Sequence, residues 1–159
     1  MISESITDRI DQITFIRPEQ LQVAPPAPKS VKIELTQRCN YRCAFCALQF
    51  RETSTTDLDW ELFKRITKEM REAGVVEIAP FYIGESFVDP KRLVAAIKWL
   101  KEDLETPYVF LTTNGSLATP GVVEDCMKAG LNSLKFSATS ANEEDFKKVV
   151  RVSPRLFHK

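Results

Sequence analysis

Val31-Lys32-Ile33-Glu34-Leu35-Thr36-Gln37-Arg38-Cys39-Asn40-Tyr41-Arg42-Cys43-Ala44-Phe45-Cys46 is the stretch on which the fold turns. From Val31 to Thr36 apolar and polar residues alternate with a period of two, as in a strand half-buried against a core. Three cysteines then follow with the spacing C-x3-C-x2-C. Open α/β sheets and barrels present their chemistry in this way, on the loops that leave the carboxyl ends of the strands.

Downstream the strand–helix plan repeats. Leu58-Asp59 opens a helix, with Asp59 suited to the N-cap and Leu58 and Phe63 a candidate hydrophobic staple. Leu62, Ile66, Met70 and Ala73 mark its apolar face, and Gly74 supplies the stop. Residues 75–83 are rich in β-branched and aromatic side chains, with Pro80 demanding an irregularity. Asp89-Pro90 is an N-cap followed by proline at the first helical position, and Leu93, Ile97, Leu100 and Leu104 line that helix. A third unit joins a strand over residues 108–112 to a helix opened by Thr119-Pro120 and closed by Gly130. The fourth joins a strand over 133–137 to a helix starting near Asn142, with Phe146, Val149 and Val150 apolar. Strand–helix units in series predict an α/β fold with a parallel sheet and right-handed crossovers. Residues 39–46, Gly84-Glu85, Thr113-Asn114-Gly115 and residues 137–140 would then converge at the strand ends.

Residues 1–30 read differently. Ile2, Ile6, Ile10 and Ile13 suit a short amphipathic helix, and Pro25, Pro26 and Pro28 favour an extended backbone. This segment is expected to be an entry arm, with the catalytic core occupying residues 31–159.

Lysine plus arginine equals aspartate plus glutamate, at 22 each. No global field therefore draws in nucleic acid or an anionic membrane. No apolar run approaches the roughly 20 residues that cross a bilayer, and Met1-Ile2-Ser3-Glu4-Ser5 lacks the basic start of a signal peptide. The expectation is a cytoplasmic protein without nucleic-acid or membrane partners.

Disulfides among neighbours as close as Cys39, Cys43 and Cys46 would strain a short loop and staple nothing distant, so a metal site is the better reading. Three thiolates can hold three corners of a cubane iron–sulfur cluster and leave one iron open, the mark of a catalytic site. A structural zinc site is the competing reading, and it wants a fourth ligand. Cys126, beside Val122 and Val123, and His158, in the tail, are the candidates; neither is well placed. Arg38 and Arg42 add positive charge that would help keep the thiols ionised.

The run from Glu34 to Cys46, with the aromatic Phe45 just before the third cysteine, resembles the signature of the radical S-adenosylmethionine (SAM) superfamily. In style it is nearest the molybdenum-cofactor-biosynthesis and peptide-maturase branches, and the likeness runs from about Val31 to Val150. The resemblance implies a 4Fe-4S cluster on Cys39, Cys43 and Cys46, with SAM chelating the fourth iron. It further implies reductive cleavage of SAM to a 5′-deoxyadenosyl radical that abstracts hydrogen from a substrate, and an electron donor such as flavodoxin or ferredoxin. Ile83-Gly84-Glu85 resembles the family's Gly-Gly-Glu, which lies against the methionine part of SAM. Thr113-Asn114-Gly115 resembles its Thr-Asn-Gly turn, with Thr113 on the substrate side, and Ser137 resembles a fourth-strand polar contact to SAM. Ile83 stands where the family has its first glycine, and Thr139 where relatives often carry aspartate.

The implied fold is an incomplete TIM-like partial barrel. The family core usually has six strand–helix units, so a core shortened after its fourth unit is expected, and an iron–sulfur module that does not cleave SAM is the alternative function. The substrate, a small molecule or a peptide, is unspecified, and no catalytic residue is assigned. Outside the motif context, Gly84-Glu85 and Asn114-Gly115 read as turns and Ser137 as an ordinary strand serine. Cys126 reads as a small buried hydrophobe and His158 as an exposed tail residue. Trp60 and Trp99 read as packing. Phe81, Phe87 and Tyr108 read as core, and Tyr82 as a residue bordering the pocket.

Overall fold

The structure, a computed structural model, describes residues 15–52 and 56–158. The helix expected around residues 2–13 lies outside them. Four parallel strands form one open sheet in sequence order: β1 (Ser30–Lys32), β2 (Glu77–Ala79), β3 (Tyr108–Thr113) and β4 (Ser133–Phe136). Between and after them run α1 (Trp60–Glu72), α2 (Pro90–Lys98), α3 (Pro120–Lys128) and α4 (Glu143–Val150), and α2 continues into a π-helical turn over Trp99–Asp103.

β1 is shorter than the alternation from Val31 to Thr36 suggests, because its partner stops. Proline has no amide to donate to a ladder, and β2 ends at Ala79, just before Pro80. The last rung is Ile33 N–H to Ala79 O, at 2.9 Å. The chain stays extended beyond it, with Leu35 buried and its carbonyl accepting from Leu58 N at 3.0 Å.

Capping residues set the helix starts. Asp59 Oδ1 accepts from Leu62 N (2.8 Å), Asp89 Oδ1 from Arg92 N (3.0 Å) and Asn142 Oδ1 from Asp145 N (2.9 Å). The buried stripe of α1 differs from expectation. Phe63 and Thr67 are fully buried, Ile66 and Met70 pack beside them, Leu62 is half-buried and Ala73 is exposed. The helical period holds, and the centre of the stripe is turned toward Phe63 and Thr67 by less than the roughly 100° of one full residue, since Ile66 and Met70 still pack inward. Thr67 tolerates burial because its hydroxyl donates to Phe63 O (2.8 Å) and accepts from Trp99 Nε1 (3.0 Å).

The principal core joins Phe63, Ile78, Leu93, Ile97, Leu100, Val109 and Leu111 between sheet and helices. Cys126 belongs to it, and burial pushes its thiol up to about 11, so it packs as a small neutral side chain. A second, smaller core lies elsewhere: Tyr41, Phe146 and Val150, with Cys39, Cys43, Val149, Val152, Leu156 and Phe157 against them. It fastens the cysteine loop to α4.

Candidate cofactor site at the strand ends

The cysteine loop has little regular structure of its own, so other elements must hold it. On one side α4 does so. Ala44 N–H donates to Val149 O (2.7 Å) and Arg42 N–H to Val150 O (3.2 Å), filling carbonyls that a helix C-terminus leaves open. Tyr41, buried, meets Phe146 edge to face at 5.7 Å. All three loop cysteines are free thiols and partly exposed. Cys39 Sγ accepts from Tyr41 N (3.4 Å) and Cys46 Sγ from Leu48 N (3.5 Å).

These thiols form a wall common to two cavities. One, of about 450 Å³, is lined also by Tyr41, Arg42, Arg51 and Arg151. The other, of about 220 Å³, brings together Phe45, Tyr82, Ile83, Gly84, Glu85, Thr113, Asn114, Ser137 and Thr139. Each of the four strand-end segments therefore reaches one hollow beside the cysteines, although Gly115 does not line it. Cys126 lies in the principal core and His158 pairs with Glu143 at 3.1 Å, so neither joins the thiols.

Burial pushes the Cys39 and Cys43 thiols up. The Tyr41 amide and the Arg42 charge lower Cys39, while Glu85 and Cys46 raise it further. The neighbouring thiols also raise Cys43. Arg38 does not take the part expected of it. Its guanidinium grips Asp57 in a fork, at 2.8 Å to Oδ2 and 3.0 Å to Oδ1, so its charge is spent on that carboxylate. A metal bound by these thiols would have to displace their protons, as it does wherever cysteine binds metal.

The loop after β2 is fixed by two glutamates. Glu34 Oε1 accepts from Ile83 N (3.0 Å) and Gly84 N (2.8 Å), and Glu34 Oε2 pairs with Arg51 Nη1 (2.5 Å). Gly84 is sterically required, since a Cβ there would lie 1.9 Å from Thr36 O. Glu85 is 4% exposed. Its N–H donates to Arg38 O (2.8 Å), its Oε1 accepts from Thr113 Oγ1 (2.9 Å) and Phe87 N (3.1 Å), and its Oε2 from Asn114 N (2.8 Å). Glu85 thus ties the cysteine loop, its own loop and the end of β3 together. The Thr113 hydroxyl is turned to Glu85, although the residue still lines the smaller cavity. Ser137 N–H donates to Thr113 O (2.8 Å), its side chain lies exposed at the rim, and Phe45 stands 68% exposed on the same cavity.

Several contributors are not singled out by the sequence: Glu34, which falls on the polar phase of a strand, Asn40 and Tyr41 within the cysteine loop, and Arg151. Arg151 caps α4 with φ at +57° and lines the larger cavity beside the cysteines. A charge or amide inside a dense motif was the available signal for Glu34 and Asn40; Arg151 carried none.

The matching family model is that of the radical SAM superfamily, over residues 33–156. The chain is 34% identical over 136 residues to the S-adenosylmethionine-dependent nucleotide dehydratase RSAD2 of Danio rerio, covering 82% of this chain and 36% of that protein. It is 30% identical over 125 residues to the GTP 3′,8-cyclase of Desulforamulus reducens, covering 77% of this chain and 38% of that protein. Two solved structures share the fold. BtrN in complex with AdoMet and 2-DOIA matches at a TM-score of 0.64 and 18% identity, over 76% of this chain and 50% of that one. Streptococcus suis SuiB bound to S-adenosylmethionine matches at 0.60 and 20% identity, over 83% and 28%. The chain belongs to the radical SAM superfamily, a superfamily of enzymes, and its open parallel sheet is a partial TIM-like barrel. It spans 36% and 38% of the length of the two curated relatives. Among the described residues no helix is long and apolar enough to cross a membrane.

Proposed function

We propose that Cys39, Cys43 and Cys46 hold a 4Fe-4S cluster and that SAM occupies the adjoining hollow formed by Phe45, Gly84, Glu85 and Ser137. The observation that carries this reading is the convergence of the three thiols with the other three strand-end segments on one cavity. The donor set fits the group: three thiols, without a further cysteine or histidine on either cavity wall, leave one iron for an outside ligand. Held there by the three thiols and by Phe45, Gly84, Glu85 and Ser137, the pair would supply one-electron reductive cleavage of SAM and, through it, hydrogen-atom abstraction from substrate.

The chain's own residues do the positioning. Glu34 holds the Ile83 and Gly84 amides, so the Gly84 backbone stays close against Thr36 and Arg38 in the segment that follows β1. The Glu85 carboxylate accepts three hydrogen bonds and has one acceptor position left for an ammonium donor. Arg42 and Arg151 bring positive charge to the wall that would face an anionic cluster. The electron comes from a donor of the flavodoxin or ferredoxin kind, the substrate is a small molecule or peptide, and the setting is cytoplasmic.

Anaerobic reconstitution with iron and sulfide, followed by reduction with SAM present, tests this reading. It predicts 5′-deoxyadenosine. A cluster without SAM cleavage supports the alternative of an iron–sulfur module. Uptake of zinc without iron and sulfide would overturn both.

A further inference from the structure

Between the first two cysteines lies a polar contact that the cofactor assignment does not use. Asn114 Nδ2 donates to Asn40 Oδ1 at 2.9 Å, and Asn40 Nδ2 donates to Ser116 Oγ at 2.7 Å. Ser116 Oγ donates in turn to Asn114 Oδ1 at 2.8 Å, closing a ring of three side chains. Ser116 N–H reinforces it at 3.0 Å. The ring does not stand alone. The Asn114 N–H sits on Glu85 Oε2, and the Glu85 N–H on Arg38 O, each at 2.8 Å. A continuous polar path thus leaves the cysteine loop at Asn40, crosses the ends of β3 and β2, and returns to the loop at Arg38, next to Cys39.

We propose that Asn40 is a positioning residue: an amide lock that seats the Cys39–Cys43 half of the loop against the hollow lined by Glu85 and Asn114. The inference rests on the cluster and SAM reading above. Its physical basis is the division of labour around the loop. Tyr41, Arg42 and Ala44 hold it to α4, while toward β3 the attachment is polar: Asn40 supplies the ring, and the Tyr41 hydroxyl also meets Ser116. Asparagine suits the place because one short side chain offers both an acceptor to Asn114 and a donor to Ser116. A closed ring of part-buried bonds holds position better than the same bonds made singly.

Asn40→Ala and Ser116→Ala, singly and together, test the lock after anaerobic reconstitution beside the parent chain. Two quantities are read: the rate at which a chelator strips iron, and the change in the electron paramagnetic resonance of the reduced cluster when SAM is added. Asn40→Ala is expected to load a full cluster, to lose iron about tenfold faster, as befits two lost hydrogen bonds of a coupled network, and to lose most of the SAM response. Ser116→Ala should move both readings the same way by less. The double variant should be no worse than Asn40→Ala, because both changes break one ring.

An Asn40→Ala chain with the parent's iron-loss rate and full SAM response overturns the proposal, and so does an additive double variant. If Asn40→Ala loads no cluster, Ser116→Ala, which keeps the Asn40–Asn114 bond, decides on the same two readings. A parent chain that loads no cluster contradicts the site assignment itself and takes the lock with it, so the two failures are told apart.

Discussion

The principal core and the small core under the cysteine loop are built on different terms. The first is a sheet and three helices sharing a continuous apolar interior, in which Ile78, Leu93, Ile97, Leu100 and Val109 are wholly excluded from solvent. Its contacts join neighbouring units, and Asp59 and Asp89 cap two of its helices. The second rests on Tyr41, Phe146 and Val150, and the rest of the loop's attachment is polar: two amides on α4 carbonyls and the Asn40 ring on the far side. A fold can therefore be robust while the loop that carries its chemistry is held lightly. Such loops, drawn from the less stable parts of a structure, are where ligand binding adds most.

That contrast can be broken by experiment. The largest effect is expected in the principal core. Leu93→Ala empties a fully buried site and should cost about 2–5 kcal/mol of unfolding free energy, read from the shift of the denaturant midpoint. Phe146→Ala is expected to cost less, at or below the low end of the about 3–5 kcal/mol usual for such a truncation, since the core around it is small and can partly collapse. It should nevertheless reduce iron uptake more than Leu93→Ala does at a denaturant-free temperature where both chains remain folded. If Leu93→Ala impairs loading as much as Phe146→Ala, the two cores are not separate, and the contrast fails.

The smallest effect concerns pH. Burial alone would raise the Asp57 carboxyl, but hydrogen bonds from Thr36 and Arg38, with the Arg38 and Arg92 charges, outweigh it and hold the group below its ordinary range. Asp57 lowered in the folded state stabilises above the ordinary carboxylate pKa, and that contribution is lost as pH falls through the lowered value. The Arg38–Asp57 pair is partly exposed, so Asp57→Asn should cost about 0.2–1 kcal/mol at neutral pH and flatten the acid limb of a stability-against-pH curve. An unchanged acid limb would remove Asp57 from the account.

Much of this was legible from residues alone, for reasons that are local. Asp59, Asp89 and Asn142 cap helices because short polar side chains accept from amides two or three residues on, and Pro90 and Pro120 sit where the missing amide is not needed. The convergence of the cysteines with Gly84, Glu85, Thr113 and Ser137 was legible too, because parallel strand–helix units bring their exits to one end. What escaped was set by distant partners. The α1 stripe shifted because Trp99 reaches Thr67 and makes a buried hydroxyl acceptable. Arg38 was drawn to Asp57 rather than to the thiols beside it in sequence. Tyr41 became core through Phe146, and Asn40 became an attachment through Asn114 and Ser116, contacts that no periodicity announces.

The central claim is that three thiols of one loop hold a polynuclear cluster. Iron and sulfide counted per chain after anaerobic reconstitution, with the parent and Cys43→Ala side by side, tests it most directly. The account predicts about four of each in the parent, the content of one cubane, and no stable cluster in the variant. A Cys43→Ala chain that keeps the parent's iron, sulfide and visible absorbance would contradict it.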